Sequence, residues 1–336
     1  MPFTGTATSQ RFVSTGEDNA TFRKYSAKYN NDYFFSTNIK NQKKVNMGSS
    51  SKLTDRIITK AISLGATIAG IASVESLKIS PSHRIYPKIG MDLNEHFSKT
   101  KDNIQLEEVH WPEDAVSALV IGIEHNADKP ELDWWDGKGT PGNRMLIKIN
   151  SRLSEWIEKT FHINTYKLPY FVERGGIFLK DAAVMAGLGC IGKNNLVITP
   201  RYGPRIRFRA LLLSQEAEST ESSEFNPCQN CWQPCRRACP ANAFKKMVYP
   251  PEDLDQSSLP GLNGDYDRVA CNIKMEKDID EAAMMIAQHA KKQQEIRQLI
   301  HEFEKSHLKA PRNSDPSFNY CVKYCRKCEL SCPVGI

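Results

Sequence analysis

The stretch NPCQNCWQPCRRACPANAF, residues 226–244, places four cysteines within twelve residues and follows the last of them with a proline. A second stretch, NYCVKYCRKCELSCPVGI (319–336), repeats the pattern, and together the two stretches hold eight of the ten cysteines. Thiolates spaced two and three residues apart can reach one cofactor from a single tight loop, which is the ligand arrangement of iron–sulfur clusters. Because clustered cysteines in a reduced compartment more often serve metal or redox chemistry than disulfides, the pattern predicts iron–sulfur binding.

The spacing of the two motifs predicts two 4Fe–4S clusters. In two-cluster ferredoxins, the cysteine that precedes the proline binds the cluster of the other motif. This rule gives two ligand groups: Cys228, Cys231, Cys235 and Cys332 for the first cluster, and Cys239, Cys325 and Cys328 for the second. The second group lacks a fourth thiolate, for which Cys271 and Cys321 are both candidates. Zinc ribbons are the alternative, but they usually pair two CxxC knuckles and need no proline after either motif.

Composition and charge are those of a globular protein with no membrane segment. The formal charge of +6 counts every cysteine as neutral. Two oxidised clusters held by eight thiolates carry about −2 each, which would bring the net charge to about +2, so the basic excess favours an anionic cofactor over RNA. No apolar run reaches transmembrane length, and no signal-peptide or twin-arginine pattern is present, so the sequence predicts a cytoplasmic protein.

The composition and the apolar pattern change along the chain and predict three regions. Residues 1–50 are polar, without an apolar period, and predict a disordered leader, with Met47 as a possible natural start. Residues 51–218 alternate helices and strands and predict an α/β domain, and residues 219–336 predict a ferredoxin-like two-cluster domain. The acidic stretch EAESTESSEF (216–225) is expected to link them, and a helical insert is expected near 278–305. The other expected helices are 52–64, 143–161 and 178–189, and the expected strands are ATIAGIA (66–72), AVSALVIGIEHN (115–126), NLVITP (195–200) and RIRFRALLLS (205–214).

A glycine-rich loop in GLGCIGKNNLVITPRYGPRIR (187–207) is the strongest ligand-binding signal outside the cysteine motifs. Its glycines surround a lysine and two asparagines, so the backbone can approach a large ligand closely. A strand follows the glycines, whereas a dinucleotide fingerprint opens a helix, and the P-loop pattern is also missing. The loop by itself therefore predicts only a ligand site.

Joined to the cysteine motifs, this loop carries a family resemblance. AGLGCIGKNNLVITP (186–200) resembles the epoxyqueuosine reductase family, and ITPRYGPRIR (198–207) resembles the related reductive dehalogenases. The resemblance covers residues 52–336 in order and spacing. It implies a nitroreductase-like α+β domain that binds cobalamin, with the two clusters passing electrons to the cobalt. It also favours Cys271 as the missing ligand and leaves Cys321 spare.

The resemblance also implies roles for individual residues. FVERGGIFLKDAAVMAGLG (171–189) is spaced like the family segment that carries an acidic proton donor, which assigns that role to Glu173. The YGPR segment suggests Tyr202 as a second proton donor and Arg205 as a cation near the substrate. Cys190 stands where epoxyqueuosine reductases usually have tryptophan, and we expect it to be a small buried side chain. The residues implied to contact cobalamin are Gly189, Gly192, Lys193, Asn194 and Asn195.

The implied activity is reduction of a carbon–oxygen or carbon–halogen bond by a cobalamin- and 4Fe–4S-dependent enzyme. The expected partners are a low-potential ferredoxin or flavodoxin as electron donor and a small-molecule or modified-nucleoside substrate. The positive charge permits tRNA as a partner, but the helical repeats that help epoxyqueuosine reductases hold tRNA are not found after Cys332. The alternative function is a ferredoxin-like electron-transfer or activator protein that reduces a partner's corrinoid and binds no cobalamin.

Overall fold

The structure is a computed structural model, and it describes residues 49–99, 106–125, 132, 140–220, 224–254, 259–306 and 324–335. The predicted leader, except for its last two residues, and Cys321 lie outside the described residues. In chain order the helices are α1 (Ser49–Ser63), α2 (Val74–Lys78), α3 (Pro81–Arg84), α4 (Tyr86–Lys99), α5 (Pro141–Phe161), α6 (Leu179–Met185), α7 (Pro234–Arg237), α8 (Pro251–Leu254), α9 (Arg268–Ser306) and α10 (Lys327–Leu330). The strands are β1 (Ile68–Ser73), β2 (Ser117–Glu124), β3 (Thr165–Lys167), β4 (Cys190–Ile191), β5 (Val197–Ile198) and β6 (Ile206–Leu213).

A four-stranded sheet with the order β1-β2-β6-β3 forms the centre of the fold. Each neighbouring pair in this sheet is antiparallel. The alternation of helices and strands, which usually accompanies a parallel sheet, is therefore misleading here: the region is α+β, as the family resemblance implies. NLVITP also differs from a strand of the main sheet, because β5 pairs only with β4 in a separate two-stranded ribbon.

Side chains alternate across the sheet and divide the core into two layers. Leu119 and Ile121 of β2 point to the face covered by α1 and α5, where Ile57, Leu146 and Leu153 are fully buried. Ala118 and Val120 point to the opposite face, which α6 covers. This two-residue period buries both faces of the central strands, as a sheet between helices requires.

Two expected boundaries are wrong. The stretch 216–225, read as a linker, is at least partly packed onto the domain: Ala217 is buried, and Thr220 is hydrogen-bonded to the backbone of Ile71 in β1. Gly70 makes this approach possible, since a Cβ there would lie 2.8 Å from Oγ1 of Thr220. The helical insert begins ten residues earlier than expected, at Arg268, so it carries Cys271 in its first turn.

A third cluster of buried side chains joins the sheet domain to the cysteine-bearing region. Ile85, Ile89 and Leu93 pack against Tyr249 and Leu259. The Tyr249 hydroxyl donates to Oδ2 of Asp92 over 2.6 Å, which adds a polar contact to the same junction. Among the helices that the structure describes, none combines the length and apolarity needed to cross a bilayer.

Candidate cofactor and active site

The first motif folds as a loop followed by a single helical turn. Gln233 adopts a left-handed conformation with φ of 60° and directs its N–H to Sγ of Cys231 over 3.4 Å. The helix α7 then begins at Pro234, where a missing N–H costs nothing, and buries Cys235. The helix α10 carries Cys328 in the second motif and packs against α7, so the two motifs meet at their one-turn helices.

The structure brings Cys228, Cys231, Cys235 and Cys332 together. Burial, together with the neighbouring thiols of Cys228 and Cys231, raises the pKa of Cys235 to about 11. The pKa of Cys332 is raised to about 12, again mainly by burial, with contributions from Cys235 and Cys228. The packing of the chain itself therefore brings Cys332 of the second motif next to cysteines of the first motif.

The remaining four predicted ligands form a second group. Burial raises the pKa of Cys271, and the thiols of Cys239 and Cys325 raise it further. Burial also raises the pKa of Cys328, and the thiols of Cys271, Cys325 and Cys239 contribute to this increase. Cys271 thus lies with the second group, while Cys321 is outside the residues that the structure describes.

Neither group has the geometry of a single-ion site. Within the described ranges, no three His, Cys, Asp or Glu side chains converge closely enough to hold one metal ion. Each thiolate of a 4Fe–4S cluster binds a different iron atom, so its four sulfurs stand further apart than the ligands of one ion. A group of four neighbouring thiols is the donor set that such a cluster needs.

The loop Gly192–Asn195 lies between the two cysteine groups. The backbone of Lys193 lies beside the thiol of Cys228 in the first group and lowers its pKa, against the larger effect of burial, which raises it. The Asn194 side chain is buried and donates to the carbonyl of Cys328 in the second group over 3.4 Å. One short loop of the sheet domain thereby contacts both motifs.

The glycines of this segment serve the chain's own packing. A Cβ at Gly189 would lie 2.2 Å from the carbonyl oxygen of Ile198, and one at Gly192 would lie 2.7 Å from Cγ1 of the same residue. The close backbone approach that the sequence suggested is therefore made to β5 across the β4–β5 ribbon. Two cavities are described next. Gly189, Gly192 and Lys193 line neither of them, whereas Asn194 lines one and Asn195 lines both.

Two adjoining cavities lie beside the second cysteine group. The larger, about 360 Å³, is lined by Cys239, Cys271, Cys325 and Cys328 together with Asn194 and Arg207. The smaller, about 250 Å³, has apolar walls from α6 and the 171–178 segment and contains Glu173. Both cavities share four lining residues, namely Tyr170, Leu179, Lys180 and Asn195.

Glu173 is half-buried at the wall of the smaller cavity. Its carbonyl oxygen accepts the N–H of Glu107 over 3.2 Å, which ties the turn carrying it to the 106–109 segment. Tyr86 is close by: its pKa is raised by burial and by the charges of Glu173 and Glu108. The structure thus places this carboxylate on a cavity wall, as the expected proton donor requires.

Tyr202 and Arg205 do not join Glu173. Arg205 is buried, and its guanidinium donates to the carbonyls of Cys332 and Val334. Tyr202 packs against the sheet core, and Gly335 contacts its backbone so closely that a Cβ there would lie 2.3 Å from the Tyr202 carbonyl carbon. Neither residue lines either cavity, so this placement favours an anchor for the C-terminal segment over the suggested roles at the substrate.

Lys180 is a site residue that the sequence analysis missed. Its Nζ donates to the carbonyl of Asn195 over 2.5 Å, and the side chain lines both cavities. Burial, followed by the charge of Arg268, lowers its pKa to about 8, while the thiols of Cys271 and Cys328 oppose this shift. The available signal was its place at the second position of a helix that also carries the buried Asp181.

A buried polar network supports the second motif from the sheet domain. Nε2 of His125, just after β2, accepts a hydrogen bond from Nη2 of Arg326 over 2.7 Å and lies 2.9 Å from Oε1 of Glu329. The backbone N–H of His125 donates to the carbonyl of Arg205 over 3.1 Å. Arg326 and Glu329, which adjoin Cys325 and Cys328 in sequence, are thereby held next to the end of β2 and the start of β6.

The comparisons with curated proteins agree with one of the two expected resemblances. No family model matches the chain. A tetrachloroethene reductive dehalogenase of Desulfitobacterium hafniense is 31% identical over 112 residues, which is 28% of this chain and 20% of the dehalogenase. A tetrachloroethene reductive dehalogenase of Dehalobacter restrictus is 30% identical over a segment of the same length. The chain thus spans about a fifth of the length of the curated relatives it matches.

The comparison with solved structures agrees with the other resemblance. The epoxyqueuosine reductase of Streptococcus thermophilus overlays with a TM-score of 0.51 and 19% identity, covering 84% of this chain and 66% of that one. Identity at this level establishes a shared fold and leaves the activity open. The resemblance to epoxyqueuosine reductases and reductive dehalogenases is confirmed, and the fold of this chain is the mixed α/β fold with a small antiparallel sheet that such reductases have.

Proposed function

We propose that this chain is an iron–sulfur, corrinoid-dependent reductase related to epoxyqueuosine reductases and reductive dehalogenases. One observation carries the proposal. The eight thiols expected as ligands fall into the two expected groups, and the second group lines a cavity together with Asn194 and Asn195. A redox centre there would lie at the wall of a cavity that adjoins Glu173 through shared lining residues.

The donor set suits two 4Fe–4S clusters. Buried thiols with raised pKa values release their protons only when a metal replaces them, so the iron itself would supply the force that holds them as thiolates. The N–H of Gln233 donates to the sulfur of Cys231, and the backbone of Lys193 favours the charged form of Cys228. We assign the first cluster to Cys228, Cys231, Cys235 and Cys332, and the second to Cys239, Cys271, Cys325 and Cys328.

The cavities suit a large cofactor that is partly apolar and rich in amide groups. Leu179 and Ile177 supply apolar wall, and Tyr170, Lys180, Asn194 and Asn195 would hold such a group by hydrogen bonds. A bound corrinoid supplies a cobalt centre that exchanges single electrons and cleaves polarised carbon–oxygen or carbon–halogen bonds. The protein's contribution would be placement next to the second thiol group and the apolar wall that Leu179 and Ile177 supply.

Glu173 is the residue that we propose to deliver the proton. Reduction of a carbon–oxygen or carbon–halogen bond leaves a carbon or a departing atom that takes up a proton, and a carboxylic acid at the cavity wall can provide it. Its half-buried position gives access both to solvent, for reprotonation, and to the cavity. We propose a small molecule or a modified nucleoside as substrate and the cytoplasm as the compartment.

Anaerobic reconstitution tests the proposal. The protein is loaded with iron and sulfide, incubated with cobalamin, desalted, and analysed for iron, cobalt and its ultraviolet–visible spectrum. We expect about eight iron atoms per chain and stoichiometric cobalt. About eight iron atoms without cobalt would favour the electron-transfer or activator function, and a chain that retains no iron would overturn the proposal. Cys190→Ser is the matched control, because its thiol lies near Cys228 but is not among the proposed ligands.

A further inference from the structure

An exposed tryptophan stands at the edge of the first cysteine group. Trp232 follows Cys231 directly, and 52% of its surface is exposed. The guanidinium of Arg237 lies 4.1 Å from the centre of the indole ring and is itself exposed. The side chains of Gln229 and Asn230 are exposed on the same loop. We call the surface formed by Trp232 and Arg237 the Trp232 face.

The segment that carries this face is itself basic, although it directly follows the acidic stretch 216–225, whose Glu224 is exposed. Residues 226–250 contain Arg236, Arg237, Lys245 and Lys246 and no acidic residue. Arg236 is paired with Asp265, which belongs to another segment, but Arg237 and both lysines are exposed. The Lys245–Lys246 pair follows Phe244, whose ring and carbonyl contact Arg236 of the same one-turn helix. Three exposed cations therefore lie on the segment that carries the first group.

The two cysteine groups face different surroundings. The second group lines the larger cavity, next to Asn195 and Lys180. Trp232 and Arg237, by contrast, flank Cys231 and Cys235 of the first group, and neither residue lines the two cavities. If electrons leave the second group toward the cavities, the first group, at the Trp232 face, is where we expect them to arrive.

We infer that the Trp232 face docks an acidic protein that donates one electron at a time, of the ferredoxin or flavodoxin type. This inference rests on the proposed function and adds the surface by which the donor binds. In each encounter the donor's reduced centre loses one electron and the first cluster gains it, with no bond broken and no proton moved. Exposed cations steer an acidic partner and raise its association rate, and tryptophan and arginine are both enriched at binding hot spots.

RNA is the competing occupant of a basic surface with an aromatic ring. Stacking platforms for single-stranded RNA usually combine several aromatic side chains with a groove that follows the backbone. Here one tryptophan is covered on one side by Arg237, and it adjoins a redox group. The observations favour a protein donor, and RNA binding becomes an outcome of the test.

The experiment uses the full chain loaded with clusters. Stopped-flow absorbance follows reduction of the clusters by a photoreduced acidic ferredoxin, by flavodoxin hydroquinone, and by dithionite, each at low and high salt. The variants are Arg237→Glu, Trp232→Ala and Trp232→Phe. Arg152→Glu on α5 is the matched control, because it reverses the same charge at an exposed position of a helix that packs on the sheet. Iron content is measured first for every variant.

We expect Arg237→Glu to lower the second-order rate constant with ferredoxin and flavodoxin about tenfold or more at low salt, and the difference to shrink at high salt. Trp232→Ala should lower it several-fold at either salt, and Trp232→Phe should restore most of the rate. Dithionite reduction and iron content should not change.

Rate constants within about twofold of wild type in both Arg237→Glu and Trp232→Ala would overturn the docking inference. The same holds if Arg237→Glu weakens binding of a tRNA stem-loop while the donor rates are unchanged. A chain that assembles no clusters would overturn the proposed function as well.

Discussion

The guanidinium of Arg205 donates a 3.2 Å hydrogen bond to the carbonyl of Cys332, 127 residues further along the chain. A second bond from the same guanidinium reaches the carbonyl of Val334. Arg205 precedes β6, a central strand of the sheet, so the last cysteine of the chain is fixed to the core of the other region. Since Cys332 joins the group formed by the first motif, Arg205 holds together segments that are far apart in sequence.

Replacing Arg205 should therefore affect the first cluster. In Arg205→Ala the carbonyls of Cys332 and Val334 lose a charged donor, and leaving such buried groups unsatisfied costs about 1–3 kcal/mol each. We expect iron to fall from about eight atoms per chain toward about four, with a lower unfolding temperature. Arg201→Ala, which removes an exposed guanidinium on the same turn, should leave both unchanged. Full iron content in Arg205→Ala would show that Cys332 needs no such anchor.

The fourth ligand of the second cluster can be identified by paired serine variants. Cys271 lies in the first turn of α9 beside the thiols of Cys239 and Cys325, so Cys271→Ser should lose about half of the iron. Cys321→Ser should keep all of it. The measurement is iron per chain together with the electron paramagnetic resonance spectrum of the reduced protein. The opposite result, with loss only in Cys321→Ser, would reverse the assignment.

Glu173→Gln tests the proton donor. The amide preserves the size of the side chain but cannot give up a proton, so we expect turnover to fall by roughly 10²- to 10⁴-fold. Iron and cobalt content should remain at wild-type levels. The control is Glu108→Gln, an exposed neighbour that, like Glu173, interacts with Tyr86 but does not line the cavity. Turnover within about threefold of wild type would move the role to another group, such as Tyr86 or water, and loss of cobalt would indicate a structural role.

His83 should make stability depend on pH. Burial lowers its pKa to about 4, while nearby Asp181 opposes the shift, and in the unfolded chain the pKa is near 6.5. Above pH 6.5 the ring is neutral in both states, so stability is full; as pH falls toward 4, only the unfolded chain takes up the proton. The free energy of unfolding should therefore decrease by up to roughly 3 kcal/mol over this window.

The check is chemical unfolding of the protein at several pH values between 7 and 4. His83→Gln keeps a polar side chain that can hydrogen-bond to Ser80 and the Phe178 N–H, the present partners of the ring. Its stability should be lower at pH 7 and should change less as the pH falls. An identical pH profile in wild type and His83→Gln would show that His83 is not the responsible group.

Much of the site could be predicted from local spacing. The crossing of Cys332 and Cys239 between motifs is predicted from the position of the prolines, and each of these thiols interacts with thiols of the other motif. The periodic segments also became α1, α5, β2 and β6 with small boundary shifts. Such signals lie within a few residues of one another, so no knowledge of the fold is needed to interpret them.

Other features depend on contacts between distant residues. Arg205 and Tyr202 sit in a segment that resembles a catalytic motif, but their surroundings come from Val334 and Gly335 at the other end of the chain. Lys180 lies in an ordinary helical pattern, and only the packing of α6 beside Asn195 and the second cysteine group places it between two cavities.

The sequence by itself determined the cysteine spacing, the glycine loop and the alternation of buried side chains, because each depends on backbone geometry over a few residues. Only the tertiary structure decided that the sheet is antiparallel, that the 216–220 segment is packed, and that the Gly192–Asn195 loop contacts both cysteine motifs. These outcomes depend on burial and on hydrogen bonds between residues far apart in the chain. Such contacts form only when the chain folds, so local sequence patterns do not reveal them.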